Sequence, residues 1–252
     1  MKSEKSSIQV IDRMSSLLDA VARYPGAVSL KVLAAETGLH SSTAFRILGA
    51  MQANGFVERD PVGHYQLGRK LLRLGSRVQG HGDLRQIAQP VMERLRDKLG
   101  ETVNLTVREG DEVVYMDKAT PNRMMHVQQL IGSRAPLHVT AVGKLMLAMG
   151  GDAECRGYAE RTNLPAYTRN TLNDLPRLLE QAETLRGQGY AFDDEEAEIG
   201  VGCIGALIYD ATGNIVAGLS VSAPIERRKV EWVADVTRAA AQISESLGYR
   251  PE

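Results

Sequence analysis

Apolar residues at Ile8, Ile11, Met14, Leu17, Leu18 and Val21 recur every three or four positions, the spacing that gives a helix one buried face. Tyr24-Pro25-Gly26 ends that pattern, because proline lacks the amide donor a continuing helix needs. Ser29 stands where a side-chain oxygen caps a second, short helix over residues 31–36, with Leu30, Leu33 and Ala34 turned inward. Thr37-Gly38-Leu39 supplies a tight corner, and residues 41–51 then predict a third helix packed through Ala44, Ile47, Leu48 and Met51. Residues 56–59 and 64–67 flank the breaker-rich Asp60-Pro61-Val62-Gly63, the pattern of a small hairpin. A basic and apolar helix over 69–78 follows, and Gly80-His81-Gly82 marks the expected boundary. The expected division is a head over 1–68, a linker helix and boundary over 69–82, and a larger domain over 83–252.

Past the boundary the period alternates between helix and strand. Leu84, Ile87, Ala88, Val91, Met92, Leu95 and Leu99 have helical spacing, and the runs 102–108 and 112–118 are strand-like around a turn at Gly110-Asp111. Two further strands, 203–209 and 215–222, join through residues 210–214, and Val230 to Ile243 predict a covering helix. In the centre, Gly132 to His138 leads into a helix near Val139–Lys144, a terminus that presents backbone donors. The fold class is α+β: a winged helix-turn-helix followed by a mixed α/β domain with an antiparallel sheet.

Charge sharpens the first part. The chain of 252 residues carries 30 basic and 31 acidic side chains, a net −1, yet the first 80 residues hold 11 Lys/Arg against 6 Asp/Glu while the remainder holds 19 against 25. The balanced total conceals +5 in front and −6 behind. Two helices joined by a glycine-containing turn, in a positive segment, match a helix-turn-helix whose second helix enters the major groove. Ser41, Ser42, Thr43 and Arg46 are its candidate DNA contacts, and Arg59 and His64 are those of the wing. The blander alternative makes the hydroxyl residues helix caps and Arg46 a solvated surface group.

Other chemistries find little support. Two cysteines exclude a disulfide framework, and the chain contains no long uncharged apolar run and no leader-like start, so cytoplasmic residence is expected. Asp193-Asp194-Glu195-Glu196 is crowded in sequence but lacks metal-ligand spacing, so it reads as a polar loop. Lys144 reads as an ordinary helix charge, His138 as a structural or exposed histidine, and Cys203 as a small hydrophobe. No phosphate loop, HExxH or GxSxG motif is present. A pocket joining Cys203, His138 and Asp193 keeps a small-molecule-processing enzyme as the alternative; no catalytic residue, metal or cofactor is assigned.

The ordered segments IQVIDRMSSLLDAV, SLKVLAAETGLHSSTAFRILGAMQANGFVERD, HYQLGRKLLRLG, ETVNLTVREGDEVVYMDKA, GSRAPLHVTAVGKLMLA and GYAFDDEEAEIGVGCIGALIYD cover nearly the whole chain. Together they resemble the IclR family of bacterial transcription regulators. The resemblance implies a double-stranded operator DNA partner, a regulatory domain that binds a small effector, and a homo-dimer or dimer of dimers on paired half-sites. The sequence leaves repression and activation both open, with repression carried as the expectation, and no membrane partner is implied. It also implies an effector pocket: Met124, Val127 and Val201 as an apolar boundary, Ala141 and Val142 as backbone donors, and Ser220 and Ser222 as hydroxyl partners, with Cys203 at a strand edge. Asp193 either accepts from the ligand or stabilises the pocket. Val201-Gly202-Cys203 departs from the family's usual Leu-Arg before the cysteine, which changes pocket size or polarity. The pocket reads as poor in aromatic residues, and the expected effector is a small organic acid, with a small aromatic ring also admitted.

Overall fold

The opening amphipathic stretch forms α1 (Gln9–Ala22), which buries Leu17, Ala20 and Val21. The structure, a computed structural model, describes residues 8–24, 26–75 and 84–250. It divides into two units, Met1–Gln79 and Gly80–Glu252.

In the first unit, α2 (Leu30–Thr37) starts at Ser29, whose side chain accepts from the Val32 N–H at 3.4 Å. It ends at Gly38, where φ is +64°, a left-handed conformation that glycine adopts without a Cβ penalty. α3 (Ser41–Ala53) buries Ala44, Ile47, Leu48 and Met51, the stripe its sequence spacing predicts. Its N-cap is His40, whose Nδ1 accepts from the Ser42 N–H, so capping does not fall to the following serines and threonine. β1 (Val57–Arg59) and β2 (Tyr65–Leu67) pair antiparallel to make the wing, and Val28 bridges to Tyr65. α4 (Arg69–Gly75) follows; the predicted continuation to Val78 and the Gly80–Gly82 boundary lie outside the described residues.

The second unit is built on a six-stranded antiparallel sheet in the order β5-β4-β3-β8-β7-β6. Its strands are β3 (Thr102–Glu109), β4 (Glu112–Ala119), β5 (Arg134–Pro136), β6 (Tyr190–Asp194), β7 (Val201–Tyr209) and β8 (Ile215–Pro224). On one face α5 (Leu84–Leu99) and α9 (Val233–Ser246) bury Met92, Leu95, Val236 and Ile243 against Val103, Leu105, Ile204 and Val221. On the other, α6 (Ala141–Met149), α7 (Gly151–Thr162) and α8 (Leu175–Gln188) form a separate core around Leu145, Leu147, Tyr158, Leu178 and Leu185.

β5, β6, α7 and α8 were not marked by the hydrophobic pattern. β5 has three residues, too few for an alternation, and α7 buries only Cys155 and Tyr158 along its length. Two glycines decide how close α6 comes to the sheet. A Cβ on Gly218 of β8 would overlap the Val142 side chain, and one on Gly205 of β7 would lie 2.9 Å from Val142 Cγ2. The first turn of α6 therefore rests directly on backbone, which leaves the neighbouring strand positions free to line a cavity.

Candidate effector cavity and DNA-reading face

Thr140 caps α6, its Oγ1 accepting from the Gly143 N–H at 3.1 Å. The Ala141 and Val142 N–H groups sit in the first turn, where helix geometry supplies no intrahelical acceptor. Both residues line a cavity of about 230 Å³ between this helix start and the sheet. Thr106 of β3, Val113 and Tyr115 of β4, Val201 and Cys203 of β7, Ser220 of β8 and Asp193 at the end of β6 complete its interior. Arg134, Tyr167 and Glu198, all solvent-exposed, lie at its mouth together with Gln129.

Strand register explains the polar lining. Asp193 pairs with Cys203, Cys203 with Ser222, and Ser222 with Thr102, so one row of small polar residues crosses four strands. Ser220 is buried and lines the cavity, and its Oγ has no hydrogen-bond partner among the described residues. Burial pushes the Asp193 carboxyl up to about 6, against a hydrogen bond from the Glu196 N–H that favours its charged form. Burial likewise pushes the Cys203 thiol and the Tyr115 phenol well above their ordinary ranges, so both stay neutral. A neutral thiol is not a nucleophile. Among the described residues no group of three or more His, Cys, Asp or Glu is placed to hold a metal ion.

Of the predicted effector contacts, Ala141, Val142, Asp193, Val201, Cys203 and Ser220 share this cavity. Met124, Val127 and Ser222 do not line it. Arg227 holds the Met125 carbonyl and Thr102 holds the Val127 carbonyl, which fixes that loop by its backbone and leaves the Met124 side chain fully exposed. Ser222 is buried behind Cys203, with its Oγ 3.2 Å from Cys203 Sγ and accepting from Asn104 Nδ2 at 3.0 Å. Tyr115 and Tyr167 correct the expectation of a cavity poor in aromatics; both come from segments whose facing was not legible in the sequence.

Two further expectations are overturned. Lys144 is no ordinary helix charge: it is 1% exposed and ion-paired with Glu196. The acidic run is not a simple polar loop, since Asp193 and Glu196 are buried while Asp194 is exposed and pairs with Arg228. His138 is structural. It is buried with Nε2 3.0 Å from the Pro165 carbonyl and Nδ1 2.7 Å from the Tyr158 hydroxyl, and burial lowers its basicity. A carbonyl can only accept, so Nε2 carries the proton and Nδ1 accepts from the tyrosine.

In the first unit, Ser41, Ser42 and Arg46 lie exposed on α3, with Thr43 half-buried. Phe45 is half exposed beside Arg46, outside the packed stripe, and the sequence reading missed it. Its exclusion from the 44, 47, 48, 51 spacing was the available signal. In the wing, the Arg59 Nε donates to the Gly63 carbonyl at 3.1 Å, and its guanidinium lies over Tyr65 at 5.4 Å and Phe45 at 6.0 Å. The His64 N–H donates to Asp60 and holds that carboxyl below the usual range; the His64 ring lies 3.9 Å from the same carboxylate.

The profile of the IclR helix-turn-helix domain matches residues 10–61, and that of the bacterial transcriptional regulator IclR C-terminal domain matches residues 77–246. The chain belongs to the IclR family of bacterial transcriptional regulators. It is 35% identical over 248 residues to the HTH-type transcriptional repressor AllR of Salmonella typhimurium, covering 96% of this chain and 91% of that one. The crystal structure of the Agobacterium tumefaciens repressor BlcR superposes with a TM-score of 0.75 at 29% identity, covering 98% of this chain and all of the other. An IclR homologue from Microbacterium hydrocarbonoxydans, solved in complex with 4-hydroxybenzoate, is similar with a TM-score of 0.62 at 25% identity, over 94% of this chain and 98% of that chain. This IclR-family chain is a DNA-binding transcriptional regulator, and its kinship is with regulators rather than enzymes. No described helix is long and apolar enough to cross a membrane.

Proposed function

We propose that this regulator represses transcription by reading paired operator half-sites, as a dimer or a dimer of dimers, and that a small organic acid seated in the α6 cavity changes its operator affinity. The observation that carries the effector assignment is the cavity itself: buried Ser220, whose hydroxyl has no hydrogen-bond partner among the described residues, lines the same space of about 230 Å³ as Ala141 and Val142 of the first turn of α6. Backbone donors at a helix N-terminus favour an anionic oxygen. Ala141 and Val142 bind the acid group, Ser220 and Thr106 add hydroxyls, and Val201 with Val113 bounds the apolar part. The two tyrosines accommodate an aromatic acid such as the 4-hydroxybenzoate bound by the Microbacterium homologue. Cys203 and Asp193 complete the contact set, and Ser222 holds Cys203 from behind.

On DNA, Ser41, Ser42, Thr43 and Arg46 lead α3 into the major groove, while Arg59 and His64 follow the backbone from the wing. Phe45 adds an apolar surface suited to a thymine methyl. Effector control requires that the ligand bind the DNA-competent and DNA-incompetent arrangements with different affinity. Titrating a labelled promoter fragment with the full chain, with and without a panel of small carboxylic acids that includes 4-hydroxybenzoate, tests the reading. At least one acid is expected to shift operator affinity in the parent and to lose that effect in Ser220→Ala. Equal responses in both proteins would remove Ser220 from the site, and no response to any acid would overturn the acid class.

A further inference from the structure

Lys144 and Glu196 form an ion pair whose side chains are 1% and 6% exposed. Burying two charges costs more than a surface pair returns, so such a pair asks for a reason beyond stability. Its surroundings supply one. The Glu196 N–H donates to Asp193 Oδ1 at 2.8 Å, and the turn that carries both acids is pinned from outside. Thr168 Oγ1 holds the Glu195 carbonyl and Thr171 Oγ1 the Glu196 carbonyl, each at 2.7 Å, while Asn170 Nδ2 holds the Asp194 carbonyl at 3.0 Å. The second Glu196 oxygen, Oε2, is buried without a hydrogen-bond partner among the described residues. The pair thus joins the α6 helix, whose start forms one wall of the cavity, to the turn that presents Asp193 on another.

We propose that the buried Lys144–Glu196 pair positions Asp193 and sets its charge, and so decides whether the cavity offers its ligand an anionic acceptor or a neutral carboxyl donor. The inference rests on the reading of this cavity as the effector site. The groups facing Asp193 come from every element around it: Lys144 from α6, Tyr115 from β4, Cys203 from β7, Arg228 from the segment after β8, and Glu196 from its own turn. Burial keeps Tyr115 and Cys203 neutral, and Arg228 is engaged by Asp194 and by the Asp193 carbonyl. Arg134 and Glu198 stand at the solvent-exposed mouth, where water screens them. Burial is the largest influence on the Asp193 carboxyl; Glu196 raises it further through space, and Lys144 lowers it. The two members of the pair therefore act on Asp193 with opposite sign.

That opposition is the test. Full-length protein carrying carboxyl-labelled aspartate is titrated by carbon-13 NMR, with Asp193→Asn identifying the Asp193 signal. Lys144→Met leaves Glu196 as an uncompensated neighbouring anion, so the Asp193 midpoint is expected to move up from its parent value. Glu196→Gln keeps the backbone donor and leaves Lys144 in need of a counter-ion, so the midpoint is expected to move down. Should one variant fail to fold, the direction of shift in the other decides. Shifts of the same sign in both, or no shift in either, would overturn the proposal. The titration uses no ligand, so its outcome is separate from the acid-panel experiment, whose failure would strike the effector reading instead.

Discussion

Arg46 on α3 extends into solvent, whereas Asp193 at the end of β6 is 2% exposed, and the two residues typify the polar chemistry of their units. The DNA-reading unit keeps Ser41, Ser42, Arg46 and Arg59 on its surface, where water solvates them and salt screens them. The sensing unit buries Asn104, Thr106, Asp193, Ser220 and Ser222 on one sheet face and Lys144 with Glu196 beside it. A nucleic acid brings its own dense charge, so surface cations suffice to capture it. A small ligand brings few groups, and the protein must hold donors and acceptors in place beforehand, desolvated and fixed by packing. Changes to the second unit should therefore affect stability and ligand response together, while changes to the first should affect DNA affinity with little effect on folding.

The hardest strain on this contrast is Gly218→Val. The new side chain would displace Val142 and with it the first turn of α6. Overpacking of this kind costs about 3 kcal/mol or more, since backbone as well as side chains must move. The thermal transition of the sensing unit is expected to fall by on the order of 6–12 °C, with loss of the effector response. A variant with parent stability and parent response would show that α6 does not need its close approach to the sheet.

Asp193→Asn probes the cost of the buried acid. The folded-state carboxyl titrates at about 6, above its ordinary value of 3.8, so between those limits the folded chain holds a proton that the unfolded chain has released. Stability contributed by that proton is present at low pH and is lost as the pH rises through the folded midpoint. At pH 8 the ionised group opposes folding by about 1–3 kcal/mol. Asparagine removes that burden, and the variant should melt above the parent at pH 8, with the advantage shrinking as the pH falls from 7 towards 4. An advantage independent of pH would mean that packing, not ionisation, is responsible.

The same contrast governed what the sequence made legible. The DNA-reading unit is short, its helices are amphipathic, and a stripe such as Ala44, Ile47, Leu48 and Met51 separates its buried face from its working face without any tertiary information. In the sensing unit six of the nine residues that the family resemblance singled out line the cavity, yet neither β5, β6, α7 nor α8 was marked by periodicity. Lys144 lies on a helix buried along nearly its whole length, and a lysine there is a core residue only because Glu196, fifty-two positions later, meets it. Tyr115 and Tyr167 reach the cavity through a bulged strand pair and a loop respectively. Facts of that kind live in long-range pairing, which local pattern does not encode.

Arg46→Ala tests the exposed half. Loss of a paired contact to a guanine edge costs about 1–3 kcal/mol of operator affinity and relaxes preference at one base pair. Loss of a phosphate contact instead weakens all sequences alike and reduces the salt slope by about 1. Either result leaves the thermal transition near that of the parent, because no hydrogen bond or ion pair of the Arg46 side chain supports the fold among the described residues. Unchanged operator binding would remove Arg46 from the interface.

The smallest expected effect compares one device in two settings. Ser29 and Thr140 are both N-caps, Ser29 accepting from Val32 at 3.4 Å on an exposed bond and Thr140 from Gly143 at 3.1 Å in a buried one. Water can replace the serine oxygen, so Ser29→Ala should cost only about 0.5 kcal/mol, towards the low end for a lost cap. Water has less room to replace Thr140, which also lines the cavity, so Thr140→Ala should cost about 1–2 kcal/mol and blunt the effector response as well. Chemical denaturation of both variants, followed by operator titration with and without acid, gives the two costs and assigns each to its unit. Equal costs, or an effector response untouched by Thr140→Ala, would dissolve the distinction between a solvated reading face and a preorganised sensing cavity.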